Sequence, residues 1–343
     1  MATSRRARAT GPTSAGSGIP GPRASPCARL RGSRGRSPLP WSTPRNTRAG
    51  RDRTPGSGAR HSWPTGQSAA AKLPARPKLP ALPAAVKARG EWEIGVKCDT
   101  PPFGWQDTSG RNRGYDVEVA RQFAKWAFGS ASKVHFTCVT TASRIGTLTS
   151  GRVDIIVSTL TWTAERERTI DYSAPYYGAA GKLLVKNEVI AGRLSDWMKG
   201  KKIVSTSGSI YDRWIKNCFK ETAFQVVSSP SAGVLAVRNG QADALMYDDA
   251  FLVGVAANAD DLKMTNHKFL NVPWGVGIRK GDVTTKRWVD AAIRGMKARD
   301  QFWGILRRTI PRRFYTLFRK NAPSPKVTLK YPRSAPPELT CPT

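Results

Sequence analysis

Between residues 93 and 279, short apolar runs and amphipathic stretches alternate, and they do so in two successive series. No other feature narrows the fold as much, because strand–helix–strand crossovers commit a chain to largely parallel sheets covered by helices. The first series reads as strands at 93–97, 133–139 and 153–158, with helices at 117–128 and 144–150. Val117, Ala120, Phe123, Ala124 and Ala127 fall on one helical face, and Asp116 is the expected N-cap. The run 153–158 is almost wholly apolar, as a strand buried on both faces must be. The second series has strands at 182–185, 202–205, 225–227 and 244–247. Helices are expected from Ser195, over 209–219, and over 231–239. A strand at 274–279 is expected to return to the first unit, before a helical region over 286–310 that Pro311 ends.

Two α/β units of this size fit comfortably within 343 residues. The formal net charge of +32 raises the question of nucleic acid. Residues 1–88 hold 17 basic residues against one acidic residue, Asp52, and residues 299–343 hold ten against two. The charge therefore belongs mainly to the ends. Residues 1–81 are rich in Arg, Pro, Ser and Gly and almost devoid of Val, Ile and Phe, so they are expected to be disordered, with a stiff Pro-rich linker at 73–83. Residues 311–343 are expected to form an irregular, basic, Pro-rich tail. Neither end interleaves aromatics with its basic residues in the manner of a nucleic-acid reader, and no specific nucleic-acid partner is expected. Arg5-Arg6 does not precede the apolar run of an export signal. The five cysteines show no metal-ligand spacing. Cys98–Cys138 and Cys138–Cys218 are both possible disulfides, with free thiols as the plainer expectation.

The middle of the chain also carries longer motifs. These are "IGVKCDTPPFGWQDTSGRNRGYDVEVA", "RIGTLTSGRVDIIVSTLTWTAERERTIDYSAPYY", "DWMKGKKIVSTSGS" and "QADALMYDD". On these stretches the chain resembles the bacterial extracellular solute-binding proteins of family 3, the polar amino-acid-binding proteins of ABC importers, over roughly residues 82–310. Its glutamate/aspartate-binding branch is the nearest in pattern. The resemblance implies a two-lobed α/β periplasmic-binding-protein fold of type II with a ligand cleft between the lobes. Lobe one would comprise 82–186 and 272–310, and lobe two 187–271, with crossings near 178–186 and 269–276.

The same resemblance implies a set of ligand contacts. Arg166 in T-x-T-x-E-R matches the clamp on the α-carboxylate, a task suited to the planar guanidinium. Asp248 matches the acceptor of the α-ammonium. Thr159 and Thr161 match strand-end hydroxyls, and Ser209 would assist the carboxylate at a helix start. Lys97 falls where basic-ligand members carry an acid, and Arg144 where acidic-ligand members carry an arginine. Two cations there favour glutamate or aspartate and oppose a cationic ligand. Phe103, Trp105 and Trp162 are candidate cleft walls. Tyr115 and Asp116 read as helix capping, and Glu165 and Glu167 as an exposed turn.

The resemblance thus implies a monomeric, extracytoplasmic binding protein without metal or cofactor. It would close on an acidic amino acid by hinge motion and present the closed form to a membrane permease of the ABC type. Glutamine is the alternative ligand. A cyclohexadienyl or arogenate dehydratase on the same fold is the alternative activity, although His61, His135 and His267 all lie outside the matched motifs.

Overall fold

The computed structural model describes residues 76–187, 192–266 and 269–341. Most of the segment 1–81 and His267 lie outside these. Two sheets organise the described chain. The first lobe begins with the short helix α1 (Ala84–Arg89) and strand β1 (Trp92–Lys97), then a small antiparallel sheet of β2 (Asp99–Thr100), β3 (Gly104–Gln106) and β4 (Asn112–Arg113). It continues through α2 (Tyr115–Phe128), β5 (Val134–Val139), α3 (Arg144–Thr149), β6 (Ile155–Ile156), α4 (Ala164–Thr169) and β7 (Ile170–Tyr172).

The second lobe runs through β8 (Tyr177–Val185), α5 (Leu194–Trp197), β9 (Lys202–Thr206), α6 (Tyr211–Cys218), β10 (Ala223–Val227), α7 (Pro230–Arg238), β11 (Ala244–Asp248), α8 (Asp249–Ala256), β12 (Lys263–Met264) and β13 (Leu270–Trp274). The chain then returns to the first lobe as β14 (Gly277–Arg279), α9 (Val283–Ala298) and α10 (Gln301–Thr309), and ends in a tail bearing α11 (Tyr315–Arg319).

The first sheet has the order β5-β1-β6-β14-β7, and the second β10-β9-β11-β8-β12, with β13 also paired to β8. Gly275 and Ser173 are still bonded within the first lobe, to the Leu160 and Val276 carbonyls, and Tyr177–Gly181 pairs with Leu270–Trp274, so the two crossings run side by side at 177–181 and 270–274. This moves the expected boundary. Residues 181–185 pair with β11 of the second sheet, from Asp248↔Gly181 to Ala244↔Val185, so the end of lobe one moves back from 186 to the crossing. The run Tyr177–Val185 opens with Gly and Ala, which look like a loop in sequence. Two of its glycines serve packing: a Cβ on Gly181 would stand 2.8 Å from the Tyr211 ring, and one on Gly178 3.0 Å from Leu329.

Burial explains why the elements hold their places. On the first sheet, Trp92 lies 5.2 Å from Trp288 of α9, and Phe123 of α2 meets the same Trp288 edge-on at 5.9 Å. Where the lobes join, Phe103 packs edge-on against Tyr115, Tyr177 and Trp274. Each such ring removes some 150–250 Å² from water, and Phe103, Tyr115, Tyr177 and Trp274 are all completely buried. Phe103 is thus core at the lobe junction, not a cleft wall. The expected single helical region 286–310 is two helices, separated at Asp300, whose φ of 52° is left-handed.

Three further expectations change. Cysteines form two disulfides, Cys98–Cys138 and Cys218–Cys341; the first is one of the two pairings open from sequence, and the second joins the tail to α6. The tail is not irregular throughout, since it bears α11 and short turns at 312–314 and 337–339, the last of them packed against α6 of the second lobe. Asp116 does not cap its helix. Gly114 occupies that position, with φ 121° and ψ 174°. Among the described residues, no helix is long and apolar enough to cross a membrane.

Candidate functional site

The two lobes touch through backbone and charge. Gly208 at the end of β9 approaches residues 141–142 of the first lobe so closely that a Cβ would lie 2.8 Å from Ala142 Cα. Thr141 Oγ1 lies 3.3 Å from the Tyr247 hydroxyl across the gap. Arg166 donates from Nη2 to the Gly208 carbonyl at 2.7 Å and from Nη1 to the Thr161 carbonyl at 2.8 Å. Beside it, Glu165 of α4 forms an ion pair with Arg213 of α6. A pocket of about 310 Å³ opens here, lined by Thr141, Ile145, Thr163 and Arg166 from one lobe and Gly208 and Ser209 from the other.

Lys97, Arg144, Thr159, Thr161 and Asp248 do not line that pocket. They are buried polar residues, linked to it through Thr141 and Arg166. Lys97 Nζ donates to Thr141 Oγ1 at 3.1 Å and pairs with Asp99 at 2.9 Å. Burial lowers its pKa, and Asp99 opposes that shift. Arg144 donates from Nη1 to the carbonyls of Ser158 and Thr159, at 2.7 and 2.9 Å. It reaches no carboxylate among the described residues, and its Nε is buried without a hydrogen-bond partner. Burial, with nearby Arg166, lowers its pKa to about 10.

Thr159 takes the left-handed φ of 50°. That conformation is uncommon for a β-branched residue, and here the Asp116 carboxylate accepts the Thr159 N–H at 2.7 Å and the Tyr176 hydroxyl at 3.0 Å. The G-Y-D motif is structural, as expected, but it acts by crossing to the strand end rather than by capping. The Thr159 hydroxyl and that of Thr206, at the end of β9, are buried without partners. Buried hydroxyls left unpaired are uncommon and call for an explanation.

Asp248 ends β11 and accepts a hydrogen bond from the Tyr211 hydroxyl. Burial pushes its pKa up to about 6, against the pull of Tyr211, Arg144 and Arg166. Ser209 is not the helix cap, since α6 begins at Tyr211; its hydroxyl instead lies 3.2 Å from Ser205 Oγ. Glu165 and Glu167 are not a free turn, since Arg213 and Arg333 pair with them. Trp162 is buried and stacks on Tyr331 at 5.5 Å. Sequence reasoning misses Asp99, Thr141, Thr206, Tyr211 and Tyr247. Asp99 stands two residues after Lys97, in the short β2 that follows its strand, a place where an aspartate is not conspicuous.

Three buried aspartates give the site a pH dependence. Burial raises Asp116 and Asp249 to about 7 and Asp248 to about 6, from 3.8 in an exposed carboxyl. The folded chain therefore binds protons that the unfolded chain releases. This contribution to stability is fully present below 3.8 and lost as pH rises through 6 to 7. The melting temperature of the unliganded protein is expected to fall by a few degrees between pH 5.5 and pH 8, read by circular dichroism; a rise across that window would contradict it. No group of three or more metal-ligating side chains occurs among the described residues.

The sequence profile of the bacterial extracellular solute-binding proteins, family 3, matches residues 93–310. The ABC transporter glutamine-binding protein of Bacillus subtilis is 32% identical over 228 residues, 66% of this chain and 84% of that protein. The L-glutamate/L-aspartate-binding protein of Pseudomonas aeruginosa is 30% identical over 220 residues, 61% and 72% of the two chains. A crystal structure of the solute receptor for L-cysteine of Neisseria gonorrhoeae superposes with a TM-score of 0.63 at 27% identity, covering 67% of this chain and 94% of that one.

Proposed function

The chain belongs to the bacterial extracellular solute-binding proteins, family 3, and on that premise we propose that it is the extracytoplasmic binding component of an ABC importer for a dicarboxylic amino acid, glutamate or aspartate. Arg166 holds the α-carboxylate, exchanging its bonds to backbone carbonyls for two parallel bonds to the ligand. Asp248, steadied by Tyr211, accepts the α-ammonium. Thr159, Thr161 and Ser209 complete the polar contacts. Lys97 and Arg144 meet the side-chain carboxylate.

The observation that carries this reading is Arg144, a buried guanidinium with no carboxylate partner among the described residues. A charge left so in the interior is costly unless an anion joins it. Around the cleft stand the cations of Lys97, Arg144 and Arg166, against Asp99, Asp248 and the buried Asp116, which burial holds partly protonated with a pKa of about 7. A dicarboxylic amino acid, with a net charge of minus one at neutral pH, suits these surroundings better than a cationic ligand does. Glutamine is the second reading, favoured by the Lys97–Asp99 pair. A carboxamide would accept from the lysine and donate to the aspartate.

No reacting step is assigned to these residues. Closure is selected because only the closed form joins both lobes to one ligand, and a membrane permease reads that form.

The test is calorimetric titration with glutamate, aspartate, glutamine, arginine and prephenate. Glutamate or aspartate is expected to bind at least tenfold tighter than glutamine. Arg144→Ala should weaken the acidic ligand about 30-fold (~2 kcal/mol) and glutamine much less. Tighter binding of glutamine would overturn the acidic reading and leave the importer, whereas turnover of prephenate, or binding of none of the amino acids, would overturn both. Affinity should also fall about tenfold per pH unit below the Asp248 pKa of about 6, a direction opposite to that of fold stability.

A further inference from the structure

Two segments cross between the lobes, 177–181 and 270–274. We infer that the C-terminal residues 320–341 form a third crossing, a disulfide-closed strap that limits how far the cleft opens. The profile match ends at residue 310, so this segment lies beyond the part of the chain shared with the family.

Its course is fixed by contacts at each step. Arg319 pairs with Asp300 on the first lobe at 2.8 Å. At the junction the Asn321 carbonyl accepts the Gly178 N–H at 2.8 Å, and its amide reaches Tyr177 and Asp249, each at 3.4 Å. The strand then returns over the first lobe. Tyr331 donates to the Ser173 carbonyl at 2.7 Å and stacks on Trp162. Arg333 holds both carboxylate oxygens of Glu167 in α4 and covers the Trp162 ring at 5.3 Å. Eight residues later the chain is on the second lobe. There the Thr340 carbonyl accepts the Trp214 indole N–H at 2.8 Å, and Cys341 is bonded to Cys218, both partners belonging to α6.

The helices joined by this link, α4 and α6, are the pair that meets across the cleft through Glu165 and Arg213. Opening the cleft separates them. Eight residues span at most about 28 Å when fully extended, and both ends are anchored, one by a two-pronged ion pair under an aromatic stack and the other by a covalent bond. The strap also seats Tyr331 and Arg333 on residues 162–167, the segment that carries Arg166. Restricting the open state raises the fraction of molecules near the closed geometry and lowers the apparent dissociation constant in proportion. Such a strap requires only two lobes that part, whatever the ligand is.

The experiment places spin-labelled unnatural amino acids at exposed Lys133 and Glu221, one on each lobe, in the full-length chain. The distance distribution is measured without ligand. The unsubstituted protein is expected to give one narrow distribution. In the Cys218→Ser/Cys341→Ser double variant it should broaden toward longer distances. Arg333→Ala, which keeps the disulfide but frees the first-lobe anchor, should broaden it less. Cys98→Ser/Cys138→Ser, which breaks a disulfide within the first lobe, should not broaden it. If the double variant does not fold, Arg333→Ala alone decides. Unchanged distributions in the strap variants, or equal broadening in the Cys98→Ser/Cys138→Ser control, would overturn the strap.

Discussion

Arg166→Ala is expected to abolish measurable amino-acid binding, weakening it by at least 100-fold (~3 kcal/mol) while the fold persists. Removing one partner of a desolvated, doubly hydrogen-bonded charge pair costs about 2–5 kcal/mol, much of it from the partner left unpaired. The variant also removes a contact between the lobes that the unliganded chain makes, from Arg166 to the Gly208 carbonyl. Arg166→Lys separates the two effects. Lysine keeps the charge but cannot offer two parallel N–H groups, so it should recover less than a tenth of the affinity. Calorimetry with the acidic amino acids reads both variants, with near-ultraviolet circular dichroism to confirm native packing. Retention of affinity within threefold in Arg166→Ala would remove this residue from the carboxylate site.

The largest expected effect on stability comes from a smaller change, Gly114→Ala. With φ at 121° and ψ at 174°, Gly114 occupies a region essentially closed to other residues. A Cβ there would lie 2.2 Å from the Phe103 carbonyl oxygen and 2.4 Å from its carbon, and backbone cannot swing aside as a side-chain tip can. The same turn holds the N–H groups of Tyr115 and Asp116 on the carbonyls of Pro102 and Phe103, at 3.2 and 2.9 Å. Displacing it moves Asp116, whose carboxylate holds Thr159 in its left-handed conformation. A cost of about 3–4 kcal/mol is expected, or on the order of 10 °C in melting temperature. Gly110→Ala is the control. Its φ of 75° is also left-handed, but nothing lies within 4 Å of the added carbon, so only the backbone strain of about 1 kcal/mol should appear. Equal melting temperatures for the two variants would show that the turn relaxes freely.

Both variants touch residues whose roles differ in how far the sequence alone reveals them. The buried strands are legible because a strand covered on both faces is a continuous apolar run, as at 155–156 and 244–247. Tyr177–Val185 is harder to place because its strand character comes from what the glycines pack against, and packing partners leave no periodic trace. The tail misleads for the same reason. Prolines and basic residues suggest an unstructured end, whereas Tyr331, Arg333 and Cys341 are held by distant residues that no local pattern reveals. Cysteine pairing is likewise undetermined by spacing. Among site residues, the charged groups stand out because charge in a matched motif is conspicuous. Their partners Asp99 and Tyr211 do not, since an aspartate after a strand and a tyrosine in a helix have many ordinary uses.

The path of the tail also decides where the two ends of the folded chain emerge. Pro77 packs on Gly295 of α9, in the first lobe, while Cys341 is fixed to α6 in the second. Residues 77 and 341 therefore ride on different lobes, which the proposed hinge closure moves against each other. Two fluorescent domains, one joined just before residue 76 and one just after residue 341, would change separation as the cleft shuts and convert ligand capture into an optical signal without any insertion between those points.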